Sequence, residues 1–401
     1  MTLESGSAHR RSTATVNLSR LRENFRRMRA LGPADASICP MVKADAYGHG
    51  DIQVSRVLRS EGAQHLGVVA IEEGTRLRRS GDKGSILVFD SYHVPDAIEA
   101  LIQENLTPVV CDWTQLQLVD ECAERLGRNE VAIHIEFDTG MGRLGFTVNE
   151  AVKIREWLNN HRRIKLNGIA THFLRGDDLG IPGGDSERQM ELFARALSAF
   201  QGLKVEVHTL NSSSIIAGRR RSLENFGLKV SDFGPPGMRP GISIYGGEPS
   251  SNPELKIGLK PILRWASRLA RVHKIEKGGS ISYNGTWRAS RESWIGVVPV
   301  GYADGFRRAF SNVGFVLCRG HRTPVVGNVC MDYFMTDLTD VVRETGSLEA
   351  GEEVVILGEQ GGQEVTANEA ASWIHTISYE ILTGIGTRVP RVYVEDESGI
   401  A

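Results

Sequence analysis

Between residue 38 and about residue 245 the chain alternates apolar runs of strand length with segments of helical spacing, and this alternation limits the fold more than any other feature. The runs are Ile38–Val42, Leu66–Ile71, Ile86–Phe89, Thr107–Cys111, Val131–Phe137, Lys165–Thr171 and Val205–Thr209. Between them, Trp113–Leu126 places Leu116, Val119, Ala123 and Leu126 on one helical face, and Glu187–Phe200 does the same with Met190, Phe193, Ala194 and Leu197. Strand–helix alternation calls for a parallel sheet with right-handed crossovers. An eighth strand, weakened by Pro235 and Pro236, runs toward Met238–Arg239. Eight strands close a TIM-type (β/α)8 barrel, and this stretch has the length for one.

After about residue 255 the texture changes. Leu263–Ile275, Trp294–Val300, Gly314–Cys318, Thr323–Val329 and Glu352–Leu357 follow one another across Gly- and Pro-marked turns, with a helical stretch only near Ala367–Ile377. This predicts a mostly β C-terminal domain. The expected organisation is a flexible tail over 1–13, the barrel over 14–255 and the β domain over 256–401; Ala14–Leu18 alternates and is a candidate to pair with the second domain. Hydrophobic residues at 41% and charged residues at 24% exclude a disordered chain. Lys and Arg (47) against Asp and Glu (49) leave a net charge of −2, which argues against nucleic-acid or anionic-membrane partners. No apolar run approaches the ~20 residues of a membrane span. The polar N-terminus lacks the apolar core of an export signal. Five cysteines without a CxxC pair suit a reducing cytoplasm and suggest no metal site.

In a βα barrel, chemistry sits at the carboxyl ends of the strands. There the sequence places Lys43 in Pro40–Gly50, Arg143 in Asp138–Arg143, His172 after Thr171, a hydroxyl-rich Asn211–Ser214, and Arg239 in Met238–Ile242. A partly desolvated lysine can form a Schiff base, and Ser- and Gly-rich turns can offer N–H groups to a phosphate. A lysine beside a phosphate cradle is what pyridoxal phosphate requires.

The segments VKADAYGHG, EFDTGMGRLG, ATHF, NSS, MRPGISIYGG, ISYNGTW, VPVGYADGFRR, GNVCMDYFMTDL and SYEILTGIGTRVPRVYV together resemble the alanine racemase family over roughly residues 14–395. The resemblance implies a pyridoxal 5'-phosphate barrel plus β domain, working as a homodimer on a small amino acid, most simply alanine. It implies that Lys43 bonds the cofactor and is one of two bases, and that Tyr283 of the partner chain is the other. Tyrosine has a pKa of ~10, so it needs help to accept a proton near neutrality; the family supplies it through His172 and Arg239. Arg239 corresponds to the residue on the cofactor's ring nitrogen. A guanidinium stays protonated, so the nitrogen stays unprotonated and the cofactor withdraws electrons less deeply. Tyr47, Ser212, Gly241 and Ile242 correspond to phosphate contacts, Arg143 to the residue at the substrate region and phenolic oxygen, and Tyr302 and Met331 to substrate-pocket residues from the partner. Cys330 and Asp332 read as structural, and His49 and His208 have no assigned role.

Two positions depart from the pattern. Glu136 stands where many members carry a carbamylated lysine that holds the arginine. Thr387 stands where a phosphate-binding tyrosine is expected, which predicts a more open entrance and looser substrate selection. Arg175–Gly184, rich in Asp and Gly, is a further influence on access. A broad-specificity amino-acid racemase shares every catalytic residue. A decarboxylase is disfavoured by Arg239, and a non-catalytic pyridoxal phosphate carrier by the second domain and Tyr283.

Overall fold

A computed structural model describes residues 12–218, 233–250 and 252–395. The expected N-terminal tail lies, up to residue 11, outside the described residues. Thr13–Asn17 forms strand β1. The barrel strands follow: β2 (Ser37–Ile38), β3 (His65–Val68), β4 (Ser85–Val88), β5 (Thr107–Val110), β6 (Val131–Glu136), β7 (Ile164–Ala170), β8 (Glu206–Asn211) and β9 (Pro236–Arg239). All eight run parallel in the order β2-β9-β8-β7-β6-β5-β4-β3. The ends meet through a bridge between Met41 and Gly67, where Val42 N–H donates to the Gly67 carbonyl (2.8 Å) and Gly67 N–H to that of Pro40 (2.9 Å). The sheet therefore closes, and the eighth strand exists despite its prolines: Pro236 opens it, where its missing N–H costs least.

The helices between strands bury one face each. Trp113–Arg125 starts where the Asp112 carboxylate accepts from Gln115 N–H at 2.9 Å and turns Leu116, Val119 and Ala123 inward. The other sequence-read helix spans Asp185–Ser198, with Met190, Phe193 and Leu197 buried.

The C-terminal part is mostly β. Its main strands are β10 (Leu263–Arg268), β11 (Arg271–Ile275), β12 (Ser280–Ile281), β13 (Trp287–Arg288), β14 (Ser293–Val298), β15 (Phe315–Cys318), β16 (His321–Pro324), β17 (Phe334–Asp337), β18 (Glu353–Gln360), β19 (Gln363–Val365) and β20 (Arg391–Val394). β1 joins this sheet, antiparallel to β10 and parallel to β20. The run expected as a strand over Thr323–Val329 leaves the ladder after Pro324; the chain turns at Gly327, whose φ is +75°. The pairing then resumes in β17, against β14. The helical stretch ends at Trp373, and a second helix follows at Ser378–Thr383.

The β domain has its own core around Trp265, Phe306, Phe310 and Phe334. The Phe306 ring centroid lies 4.7 Å from that of Phe310 and 4.4 Å from that of Phe334. Phe334 is fully buried, so Phe334→Ala should destabilise this domain by about 3–5 kcal/mol. Chemical denaturation will show it as a lowered midpoint.

Candidate active site

A cavity of about 480 Å³ opens at the carboxyl ends of the barrel strands. Lys43, Tyr47, Arg143, His172, Ser212, Arg239, Gly241 and Ile242 all line it, together with Glu136, Asn211, Ser213, Phe89 and Tyr379.

Lys43 opens an unusual turn. Ala44, Asp45, Ala46 and Tyr47 all have φ between +52° and +55°, so the backbone makes a left-handed helical turn from ordinary L residues. Such residues cost about 1–2 kcal/mol each, so the surroundings must hold them. Ala44 N–H donates to Glu73 Oε1 (2.6 Å), whose other oxygen accepts from Val69 and Ala70 N–H. Asp45 Oδ1 accepts from Asp51 N–H (3.0 Å), and Ala46 N–H donates to the Val42 carbonyl (2.9 Å). Tyr47 and His49 both stack on Tyr245, whose hydroxyl donates to the Met41 carbonyl (2.8 Å). From the β domain, Arg391 donates to the Gly48 carbonyl (2.9 Å) while its remaining N–H groups reach the carbonyls of Ile385, Gly386 and Val389. Gly48 has φ +83°, and a Cβ there would lie 2.3 Å from the Leu382 carbonyl oxygen. Burial and the Arg143 charge lower the Lys43 pKa, with Glu73 opposing. More of the amine is therefore free near neutrality.

Ser212 and Gly241 form a cradle. Gly241 N–H donates to Ser212 Oγ at 2.8 Å, with Ser243 N–H at 3.5 Å. A Cβ on Gly241 would fall 2.6 Å from the Tyr47 hydroxyl, which therefore stands against this loop. The Ser243 hydroxyl is buried without a partner. Thr387 is exposed and does not reach the lining of the cavity. Tyr379, eight residues earlier, brings a phenol to the cavity, with its ring centroid 6.0 Å from that of Tyr47. Its pKa is pushed up to about 12 by burial, so it stays a neutral donor.

Arg239 is 4% exposed. It donates to the Thr171 carbonyl (2.7 Å), the His208 carbonyl and His208 Nδ1 (2.7 Å). His208, without a role from sequence, is thus its direct partner. Burial lowers the Arg239 pKa, while Glu136 opposes. Burial raises that of Glu136, against the pull of Arg239 and then Arg143. His172 is pulled down to about 3, by burial first and then by Arg239, Arg143 and Lys43. It faces the cavity as a neutral imidazole.

Tyr283, Tyr302 and Met331 do not line this cavity. They lie in three loops of the β domain, 71%, 44% and 53% exposed. The loops are tied together: Asn328 Nδ2 donates to the Tyr283 carbonyl (2.7 Å), and Tyr302 and Ala303 N–H to the carbonyls of Cys330 and Met331. Asp332 braces them by accepting from Arg388 at 2.9 Å. With the half-exposed Tyr333 they form one apolar, phenol-bearing surface.

The family model described as alanine racemase, N-terminal domain, matches residues 16–249, and that described as alanine racemase, C-terminal domain, matches residues 262–393. This chain belongs to the alanine racemase family. The alanine racemase of Carboxydothermus hydrogenoformans is 38% identical over 385 residues, covering 95% of this chain and 99% of that protein. The crystal structure of the Bacillus anthracis alanine racemase with bound L-Ala-P superposes with a TM-score of 0.84 at 31% identity, covering 97% of this chain and 96% of that one. That of Bartonella henselae, with covalently bound pyridoxal phosphate, gives 0.82 at 25% identity, covering 96% and 99%. Family membership makes the chain an enzyme, a pyridoxal-phosphate-dependent isomerase. Its cavity fits that cofactor: a half-buried amine, a hydroxyl and N–H cradle with the spare Ser243 hydroxyl, and guanidinium groups for an anionic ligand.

Two outcomes follow for the site. Gly48→Ala should push the Lys43 turn off the Leu382 carbonyl and weaken cofactor binding at least about tenfold, read by absorbance titration of the apoenzyme. His49 and His134 are each pulled down to about 4, chiefly by burial, and His172 to about 3. Above pH ~6.5 these are neutral in both folded and unfolded states. Below it only the unfolded chain takes up their protons, so stability falls as pH drops toward 4, by up to roughly 3 kcal/mol per group. Calorimetry from pH 7 to 4.5 checks this, and His49→Gln should flatten the slope.

Proposed function

We propose that the enzyme interconverts L- and D-alanine, with pyridoxal phosphate in the barrel cavity and each site shared between two chains. The observation that carries this reading is the division of the site: the amine, cradle and guanidinium groups line one cavity, while Tyr283 projects outward on a separate surface. A homodimer joins the two, with Tyr283, Tyr302 and Met331 of one chain closing the barrel of the other. Free cysteines, four of them buried, suit the cytoplasm. Among the described residues, no helix is long and apolar enough to cross a membrane.

Bound pyridoxal phosphate supplies an electron-poor ring that acidifies the substrate Cα–H. Tyr47, Ser212, Tyr379 and the N–H groups of Gly241 and Ile242 hold its phosphate; Arg239 holds its ring nitrogen and, being permanently charged, gives it no proton. Arg143 orients the phenolic side and the substrate, and Glu136 offers Arg143 a carboxyl without CO₂ chemistry. Lys43, its amine pKa lowered, takes or returns the Cα proton on one face. Tyr283 of the partner does so on the other, next to the neutral His172. The relatives matched over nearly the whole chain are alanine racemases, which favours alanine as the substrate, while Thr387 leaves room for looser selection.

A panel of L-amino acids should show alanine racemised fastest; equal rates with serine or lysine would point to broad specificity. Lys43→Ala should abolish activity, and Tyr283→Phe should lose exchange of the α-proton with deuterated water in one direction only. Mixing those two inactive variants should restore about a quarter of wild-type activity, because half of the dimers have one intact site of two. No recovery in dimers shown to exchange would refute the shared site.

A further inference from the structure

Below the cavity, a column of polar side chains, buried except for the half-buried His65, runs through the barrel interior, and the mechanism above does not use it. It consists of His208 on β8, His134 on β6, His65 on β3 and Glu206 on β8. Barrel interiors are ordinarily filled by layers of Val, Ile and Leu. An imidazole there is tolerated only when its nitrogens are partnered.

The hydrogen bonds fix the protons. Arg239 Nη1 lies 2.7 Å from His208 Nδ1. A guanidinium only donates, so this nitrogen carries no hydrogen and the neutral ring holds its proton on Nε2. That N–H points at His134 Nδ1, 2.8 Å away, which therefore accepts, leaving the His134 proton on Nε2. Lower down, His65 Nε2 lies 2.8 Å from the Glu206 carboxylate and its Nδ1 lies 2.8 Å from the Ser85 hydroxyl. The His134 ring meets those of His208 and His65 near edge to face, with centroids 4.9 and 5.9 Å apart. Gly168 opens the space for it: a Cβ there would lie 2.2 Å from His134 Nδ1. Burial and the Arg239 charge hold His208 neutral, and burial holds His134 neutral.

We propose that His134 is a positioning residue for this enzyme: by accepting from His208 Nε2–H it locks His208 in the tautomer whose Nδ1 receives the Arg239 guanidinium. This rests on the reading that Arg239 holds the cofactor ring. In the other tautomer, Nδ1–H would face the guanidinium, donor against donor, and Arg239 would lose one of its three acceptors and be pushed off its present position. The chosen acceptor is neutral as well. A carboxylate in its place would cancel the arginine's charge, whereas the imidazole leaves that charge to the cavity.

The test uses the dimeric holoenzyme with ¹⁵N-labelled histidine. Both His134 and His208 should appear as neutral Nε2–H tautomers that do not titrate between about pH 5.5 and 9. His134→Gln keeps an acceptor oxygen; His134→Leu does not. The leucine variant should lose about tenfold in kcat, the effect of one buried hydrogen bond. It should also shift the bound cofactor's absorbance and convert more cofactor to pyridoxamine phosphate, with release of pyruvate, per racemisation event. The glutamine variant should recover most of both. An Nδ1–H signal on His208, or leucine and glutamine variants with the same absorbance and product partition, would overturn the proposal. Failure of the unaltered enzyme to racemise alanine would overturn the proposed function instead and leave the tautomer assignment standing.

Discussion

The left-handed turn after Lys43 is the constraint on which the rest of the site depends. Four consecutive L residues with positive φ do not persist unaided. They are held by contacts from three directions: Glu73 from the neighbouring helix, Tyr245 from the segment after β9, and Arg391 with Leu382 from the β domain. The turn aims a lysine amine into the cavity and sets Tyr47 against the Gly241 loop in one stroke. The β domain is therefore part of the site within its own chain, through Arg391 and Tyr379, besides presenting Tyr283 outward.

The cavity's electrostatics follow from burial. Two guanidinium groups and an amine share a small space whose one buried carboxyl, Glu136, is itself pushed toward its neutral form. Such a space suits an anionic ligand. The histidines around it are neutral, so they take up no positive charge of their own and serve as oriented acceptors or donors.

The barrel was legible because its strands and helices announce themselves by period, and the rim residues because strand ends are where a barrel keeps its chemistry. The turn at residues 44–47 was not legible: Ala, Asp, Ala and Tyr carry no left-handed signal, and only tertiary contacts impose one. The motif around Thr387 shows where a tyrosine is missing but does not reveal that Tyr379, in the same segment, reaches the cavity. His208 has no role legible in the sequence because its partner Arg239 lies on the next strand, a neighbour that no local pattern reveals. In the β domain, the strand at Phe334–Asp337 was hidden behind an irregular loop, and the run before it kept a strand's composition after leaving the ladder.

The pairing of β1 with β20 has a consequence for how the molecule is made. The second domain's sheet takes one strand from before the barrel and another from after everything else. A ribosome delivers the first long before the second, so the barrel must fold with β1 still lacking its final neighbour. Arg391 arrives on that same last strand, and Tyr379 just ahead of it. Completion of the sheet and completion of the cavity are thus linked, and a chain cut short before residue 379 would lack the Tyr379 phenol and the Arg391 contact to the Lys43 turn even with a finished barrel.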